Sequence, residues 1–301
     1  MGETFRYRVM HETIYRYSSP VDISRQIAHL TPRETSWQKV HSHGLEVSPQ
    51  PVERSESIDY FGNPTARIVV DTPHDELIVR AESEVTVAPH SPQADAASPA
   101  WETVLAVPGV WNRGTNLDVE QYRVVSPTVP MLPSARDYAA LSFTKGRPWL
   151  EAALDLTRRI RAEFHYDTKA TTVSTSVEEV LELKRGVCQD FAHLMISCLR
   201  SIGLPARYVS GYVLNRRNKA GKDSMTGADA SHAWVASYCA AHGWVAFDPT
   251  NGKIADTEFV TLGWGRDYHD VSPLRGVVRG TAAQELAVAV SVVPVEDAAN
   301  V

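Results

Sequence analysis

The chain has 301 residues, of which 43% are hydrophobic and 22% are charged, and its formal net charge at pH 7 is −6. This composition excludes wholesale disorder, and the mild negative charge gives no reason to expect a nucleic-acid partner. A chain of this length can form two modest domains.

The first hundred residues are rich in β-branched and aromatic side chains. "TFRYRVMHETIYRYSSP" alternates in parts and stops at a turn, and "ARIVVDTPHDELIVRAESEVTVAP" predicts two strands around a Thr-Pro-His-Asp turn. No helix of convincing length is expected here. Residues 1–100 therefore predict an antiparallel, β-sandwich-like N-terminal module.

The pattern becomes helical in the second part of the chain. "WLEAALDLTRRIRAEF", which begins at Trp149, places apolar residues on one helical face, and Ser176 with Glu179 forms a capping-box signal for another helix. A third helix follows Gly186 and ends at Gly203. Its apolar residues cover so much of the circumference that we expect it to be buried in the core.

A run of strands comes next, in "ARYVSGYVL", "SHAWVASYC" and "GWVAFDPT". The polar, glycine-containing residues 215–230 suit a mobile flap or a variable surface loop. Helices followed by strands predict an α+β domain over residues 101–301, with antiparallel strands packed on one central helix. The C-terminal stretch "ELAVAVSVVPV" is too short to cross a bilayer, so we assign it to this domain as a strand and expect no membrane contact.

The N-terminus and the cysteines set an expectation about the compartment. "MGETFRYRVMHETIYRY" carries charges throughout and has no apolar segment typical of a secretion signal. The three cysteines form no CxxC pair, which argues against a disulfide framework. A cytoplasmic location is the simplest expectation.

Cys188 is the first candidate for chemistry. By position alone it could be a small buried hydrophobe, a metal ligand, half of a disulfide or a nucleophile. It stands at the start of the central helix, where free N–H groups and the helix dipole favour a thiolate. Cys198, ten residues further along the same helix, is better explained as packing.

His232 and Asp248 are candidates for a base and the group that orients it. If the hairpin is centred near Ala241, Asp248 pairs with Trp234 and lies diagonally opposite His232; a shifted register would bring the two face to face. Either register puts both side chains on one sheet face. Cys239 points to the other face. A base held by an acid and presented to a thiol is the arrangement of an activated nucleophile.

The segments "GVCQDFAHLMISCLRSIGLPARYVSGYV", "SHAWV" and "GWVAFDPTNG" resemble the three signature segments of the bacterial transglutaminase-like superfamily. The resemblance covers roughly residues 150–280 and implies a papain-like α+β core. It also implies a catalytic triad of Cys188 as nucleophile, His232 as base and acid, and Asp248 as the orienting residue. The β-rich first part resembles the N-terminal module that accompanies this domain in bacteria.

Several other residues are weaker candidates for the site. Besides the Cys188 amide, an oxyanion hole needs a second donor, for which Tyr166, Gln189 and Trp234 are candidates. Related enzymes use an aromatic donor upstream of the nucleophile, which favours Tyr166, although core packing would explain it equally well. Asp267 could line the substrate cleft or pin its own loop.

Three further residues are expected to have structural roles, and no metal or cofactor is expected. Asp190 suits the first turn of its helix, and Arg207 and Tyr212 are expected to support the sheet. The "HSHG" motif offers only two histidines, without a matched third ligand for zinc.

These observations predict a cysteine-dependent enzyme that transfers the acyl group of an amide in a peptide or protein substrate. If water resolves the thioester the protein is a peptidase or amidase, which we favour; if an amine does, it is a transglutaminase. A binding module that has lost turnover is a further alternative. The oligomeric state and the substrate's identity stay open.

Overall fold

The computed structural model describes residues 3–105, 117–214 and 231–295, so the predicted loop over residues 215–230 lies outside the described residues. Its helices are α1 Leu117–Glu120, α2 Pro133–Ala140, α3 Trp149–Glu163, α4 Val177–Leu183 and α5 Cys188–Ser201. The strands of the first part are β1 Phe5–Val21, β2 Ile23–Ala28, β3 Gln38–Ser48, β4 Glu53–Ile58, β5 Pro64–Val70 and β6 His74–Val87. The later strands are β7 His165–Tyr166, β8 Arg185–Gly186, β9 Ala206–Val213, β10 His232–Cys239, β11 Gly243–Asp248, β12 Lys253–Ile254, β13 Phe259–Gly265, β14 Leu274–Arg279 and β15 Gln284–Pro294.

The first part of the chain forms a sandwich of two antiparallel sheets. One has the strand order β15-β1-β6-β3 and the other β14-β2-β5-β4. Apolar side chains of both sheets, among them Ile68, Leu77 and Val79, form one buried cluster between them. Alternate residues of a strand point to opposite faces, so each sheet can bury one row of side chains and expose the next. The predicted fold class, an α+β core with an antiparallel β-sandwich-like module, is confirmed.

The last two strands belong to the sandwich, which corrects the predicted division at residue 101. β15 pairs with β1 from Tyr17↔Gln284 to Tyr7↔Pro294, and β14 pairs with β2. The long strand β1 would otherwise present a row of unpaired backbone groups, which the returning chain satisfies. The apolar pattern of the C-terminal stretch predicts a strand but contains no information about which sheet it joins.

The second part of the chain contains a five-stranded sheet of order β12-β11-β10-β9-β13, on which α5 packs. Every residue of α5 from Asp190 to Ser201 is buried, as the sequence predicts for a core helix. The capping box of α4 is also confirmed, since Ser176 Oγ accepts from the Glu179 amide and Glu179 Oε2 accepts from the Ser176 amide.

The sandwich contacts the five-stranded sheet at its β13 edge. Gln38 donates from Nε2 to Thr261 O at 2.7 Å and accepts at Oε1 from Thr261 N at 2.8 Å. Asn63 makes the same pair of bonds to Trp264, with distances of 2.8 Å and 2.9 Å. Two side-chain amides thus satisfy backbone groups of an edge strand, as a neighbouring strand would. A buried apolar cluster that includes Val290 of β15 joins the same two units.

The position of β15 leads to a stability prediction. Val290 is 5% exposed and Val293, on the same strand, is 44% exposed. Val290→Ala removes buried methyl groups and leaves a cavity, so it should lower the free energy of unfolding by about 2 kcal/mol. Val293→Ala should change it by less than about 0.5 kcal/mol. Urea unfolding followed by circular dichroism measures both values. Equal effects of the two substitutions would contradict the placement of β15 in the packed core.

Candidate active site

The turn that presents Cys188 is fixed by a single carboxylate. Asp190 Oδ2 accepts from the Val187 amide at 2.8 Å and from Thr171 Oγ1 at 2.7 Å. Burial raises the pKa of the Asp190 carboxyl, although these two hydrogen bonds act in the opposite direction. Asp190 therefore holds the residue before the nucleophile, a structural role like the one the sequence predicts.

Glycine is required at the preceding position. A Cβ atom on Gly186 would lie 2.7 Å from Asp190 Oδ2 and 2.9 Å from its Cβ. The same glycine pairs with Tyr166 in the short parallel sheet of β7 and β8. The close approach of backbone and carboxylate therefore permits no side chain here.

Cys188 begins α5, and its side chain is half-buried, whereas Cys198 and Cys239 are buried. All three cysteines are free. The N-terminus of α5 supplies unpaired N–H groups and a partial positive charge, both of which favour a thiolate over a thiol. Of the three cysteines, Cys188 is the one that is partly exposed to solvent.

His232 and Asp248 form the buried pair predicted from the hairpin. Val235 pairs with Phe247, so the register is the one centred on Ala241. His232 Nε2 and Asp248 Oδ2 are 2.9 Å apart. A carboxylate can only accept, so Nε2 carries the donated proton and Nδ1 is left to act on the nucleophile.

Asp248 is itself held in place by the turn that follows it. Its side chain is 0% exposed, and Oδ1 accepts from the amides of Thr250 and Asn251 at 2.9 Å and 3.2 Å. Asn251 Nδ2 donates to Oδ2 at 2.6 Å. Burial alone would raise the pKa of Asp248, but His232 and Asn251 outweigh it and lower that pKa. Asp248 is therefore a carboxylate at neutral pH.

The charge of His232 follows from its two neighbours. Burial acts to lower the pKa of His232, but the charge and hydrogen bond of Asp248, followed by the interaction with the Cys188 side chain, outweigh burial and raise it to about 10. The interaction between Cys188 and His232 places Cys188 beside the two other residues of the predicted triad. The imidazolium form therefore persists across neutral pH beside Cys188, and such a cation favours a thiolate.

Aromatic rings fix the plane of the imidazole. The ring centroids of Trp234 and Phe259 each lie 6.2 Å from that of His232. Gly211 pairs with His232 across β9 and β10, and a Cβ on it would lie 2.6 Å from the Trp234 ring and 2.1 Å from Val260 O. Trp234 is buried beneath the imidazole, so the structure gives it a positioning role rather than that of an oxyanion donor.

Tyr166 and Gln189 are the remaining oxyanion-hole candidates, and their contacts differ. Tyr166 is 47% exposed, pairs through its backbone with Gly186 and sets its ring edge against Phe191, so it lies beside the nucleophile turn. Gln189 donates from Nε2 to Val173 O at 3.4 Å, which directs its amide to a neighbouring loop.

Asp267 does not line a cleft, which corrects that prediction in favour of its alternative. It is fully buried and accepts from the amides of Thr128 and His269 at 3.0 Å and 2.9 Å. Burial would raise its pKa, but hydrogen bonds from Thr128 and Ser126 lower it. This carboxylate fixes the loop between β13 and β14 against the segment after α1.

Two residues near the triad were not singled out from the sequence. Asn251 supports Asp248, and its signal was the "DPTNG" segment, in which the amide follows the acid by three residues. Tyr208 lies buried on β9; burial, then the Cys188 charge, raises the pKa of its phenol well above the usual value. The phenol stays protonated and can donate. An alternating run of apolar residues gave no reason to select it.

The two histidines of "HSHG" bond to hydroxyl groups. His41 contacts Thr86, and His43 contacts Thr31 and Ser83. Within residues 3–105, 117–214 and 231–295, no group of three or more metal-ligating side chains is assembled. In the same part of the chain, no helix combines the length and apolarity needed to span a bilayer.

Comparison with known proteins matches both parts of the chain. Residues 7–86 match the bacterial transglutaminase-like N-terminal region, and residues 137–249 match the transglutaminase-like superfamily. An uncharacterized protein of Mycobacterium tuberculosis is 40% identical over 306 residues, which cover 98% of this chain and 95% of that protein.

One further relative and one solved structure are similar to different fractions of the chain. A protein-glutamine gamma-glutamyltransferase of Pseudomonas aeruginosa is 33% identical over 121 residues, or 39% of this chain and 18% of that protein. The crystal structure of a candidate cysteine protease from Cytophaga hutchinsonii superposes with a TM-score of 0.76 at 20% identity, over 98% of this chain and 92% of that one. At this low identity, the similarity to the Cytophaga structure shows the fold alone. The chain therefore belongs to the transglutaminase-like superfamily and carries the N-terminal region of its bacterial members.

Proposed function

We propose that this protein is a cysteine-dependent hydrolase that cleaves an amide bond in a peptide or protein through a thioester on Cys188. The observation that carries the proposal is the buried His232–Asp248 pair, 2.9 Å across, in contact with a half-buried thiol at a helix N-terminus. Base, orienting acid and nucleophile are then all present in one place.

The reaction follows from the charges of these groups. The Cys188 thiolate attacks the carbonyl carbon, and the amide of Cys188 at the start of α5 stabilises the oxyanion. The imidazolium of His232 gives its Nδ1 proton to the leaving nitrogen as the C–N bond breaks. Neutral His232 then takes a proton from water, whose oxygen attacks the thioester and releases the acid and the thiolate.

Water is the acceptor we favour, since it always reaches a half-exposed thioester and an amine must compete with it. The likeness of residues in the catalytic part to a protein-glutamine gamma-glutamyltransferase supports a second candidate, in which an amine resolves the thioester. The triad serves both reactions equally. A binding module without turnover would keep the fold but has no need of an activated thiol.

Alkylation tests whether Cys188 is activated. Iodoacetamide at pH 6.5 should label Cys188 at least ten times faster than free cysteine, because a paired thiolate reacts where a free thiol is protonated. Intact-mass spectrometry should show one adduct, since Cys198 and Cys239 are buried. Cys188→Ala should give none, with Cys198→Ala as the matched control that keeps the adduct. A rate no greater than that of free cysteine would remove the support for an enzyme.

The pKa of His232 tests the role of Asp248. In the unsubstituted protein His232 should stay protonated until the pH approaches about 10. Asp248→Asn removes the largest influence that raises this pKa, so the pKa of His232 should fall well below that value. Imidazole resonances followed by NMR over pH 5–10 report this value, and Asp256→Asn is a control at a more exposed carboxylate. A pKa of His232 that Asp248→Asn leaves unchanged would contradict the assignment.

The fate of the thioester separates the two candidate reactions. Glutamine-containing and γ-glutamyl peptides should yield the free acid, and an added primary amine should be incorporated in less than half of the product. Ammonia release and product mass, with and without the amine, measure this split, and Cys188→Ala should lower turnover at least a thousandfold. Incorporation that exceeds hydrolysis would replace our proposal by the transglutaminase.

A further inference from the structure

A narrow crevice lies on the face of the catalytic sheet that is turned away from α5. Aromatic side chains from both parts of the chain line it: Trp37, His90, Trp234, Trp244, Phe259 and Trp264. Its free volume of about 20 Å³ has room for one or two waters or for one small ionic group. Arg207 of β9 points into it.

Arg207 is stacked between two indole rings. Its guanidinium carbon lies 4.2 Å from the centroid of Trp244 and 3.8 Å from that of Trp264. Arg33 stacks on Trp264 as well, at 3.7 Å. Indole faces stabilise a cation, but they accept no N–H hydrogen bond in the plane of the guanidinium. The Arg207 side chain is hydrogen-bonded to the phenol of Tyr122, and its Nε is left without a partner.

Two other arginines in this region, the half-buried Arg33 and the buried Arg200, donate to protein oxygens, whereas Nε of Arg207 has no hydrogen-bond partner. Arg33 donates to Phe61 O and Asn63 Oδ1, and Arg200 donates to four oxygens of the protein. Arg207 is 7% exposed, its Nε has no hydrogen-bond partner, and no acidic side chain in the described parts of the chain forms an ion pair with it.

Among the residues that the structure describes, no carboxylate pairs with this cation. Burial lowers the pKa of Arg207 to about 9, although the nearby phenol of Tyr122 acts to raise it. Because this pKa is above 7, the guanidinium is still charged at pH 7. A buried charge without a partner is costly, and an anion that fills the crevice would offset that cost. The guanidinium fork matches a carboxylate through two parallel hydrogen bonds.

We propose that Arg207 binds a small carboxylate in this crevice, at a site separate from the one at Cys188. Arg207 lies four residues before Gly211, the residue that pairs with His232, which places it about 13 Å along the same sheet face. Trp234 and Phe259 stand between the two positions, contacting His232 on one side and the crevice on the other. The carboxylate belongs to a free small acid or to the end of a peptide.

The test uses the full chain with Cys188→Ala, so that its outcome does not depend on the proposed reaction. Four tryptophans line the crevice, so their fluorescence reports occupancy. Formate and acetate should change the emission saturably and raise Tm, while acetamide and sodium chloride at equal concentration should not. Pivalate should be excluded by size. Acetate that acts no differently from acetamide or chloride would overturn the proposal.

Substitutions of Arg207 test whether the acetate response arises in this crevice. Arg207→Lys keeps the charge but loses the fork and should weaken acetate binding about tenfold, and Arg207→Met should abolish it. Arg159→Met is the matched control, because that guanidinium stacks on Tyr138 at 4.3 Å in another part of the fold. An acetate response that survives in both Arg207 variants would refute the site. If Arg207→Met does not fold, Arg207→Lys and the comparison of acetate with acetamide still decide.

A peptide arm separates the two sources of the carboxylate. Trialanine with a free C-terminal carboxylate and its C-terminal amide are compared under the same conditions. A response to trialanine with its free carboxylate, and none to its amide, assigns the site to a peptide end. A response to acetate, and none to either form of trialanine, assigns it to a free small acid. A response to the amide equal to that of the acid would contradict recognition of a carboxylate.

Discussion

The hydrogen bond between His232 and Asp248 is the contact on which the rest of the site depends. Both groups are buried, so neither charge would be tolerable there alone. Asp248 holds the imidazole proton at Nε2, which leaves Nδ1 as the atom that faces the nucleophile. Without the carboxylate, burial would favour a neutral imidazole, and the cation beside Cys188 would be lost. The orientation and the charge of the imidazole thus have one cause.

The sandwich contributes to this contact from a distance. It binds β13 through the amide side chains of Gln38 and Asn63, and β13 pairs with β9, whose Gly211 pairs with His232. The strand that carries the base therefore lies in the interior of a sheet whose far edge is covered. Edge strands fray first, and covering β13 moves that weakness away from β10. On this basis, the N-terminal module supports the five-stranded sheet that carries His232.

Local rules in the sequence were sufficient to select Cys188, His232 and Asp248, because these residues lie on neighbouring elements with strict periods. Strand alternation and a short hairpin bring His232 and Asp248 together, and a glycine before a helix marks Cys188. Asp267 and β15 show where such rules stop. An acid after a strand looks the same whether it faces a cleft or pins a loop, and a strand pattern does not identify its partner. Both are decided by contacts between residues far apart in the chain.

The two faces of β10 have different roles, since one packs into the core and the other carries His232. Ala233 and Val235 enter the apolar cluster packed around α5, so they fix the distance between the helix and the sheet. His232 and Trp234 point to the opposite face, where the base, its aromatic support and the crevice of Arg207 follow one another. A shift of β10 by one residue would exchange these faces, burying the imidazole against α5 and exposing the valine. The packing that stabilises the core therefore also fixes the register of β10 and with it the face on which His232 lies.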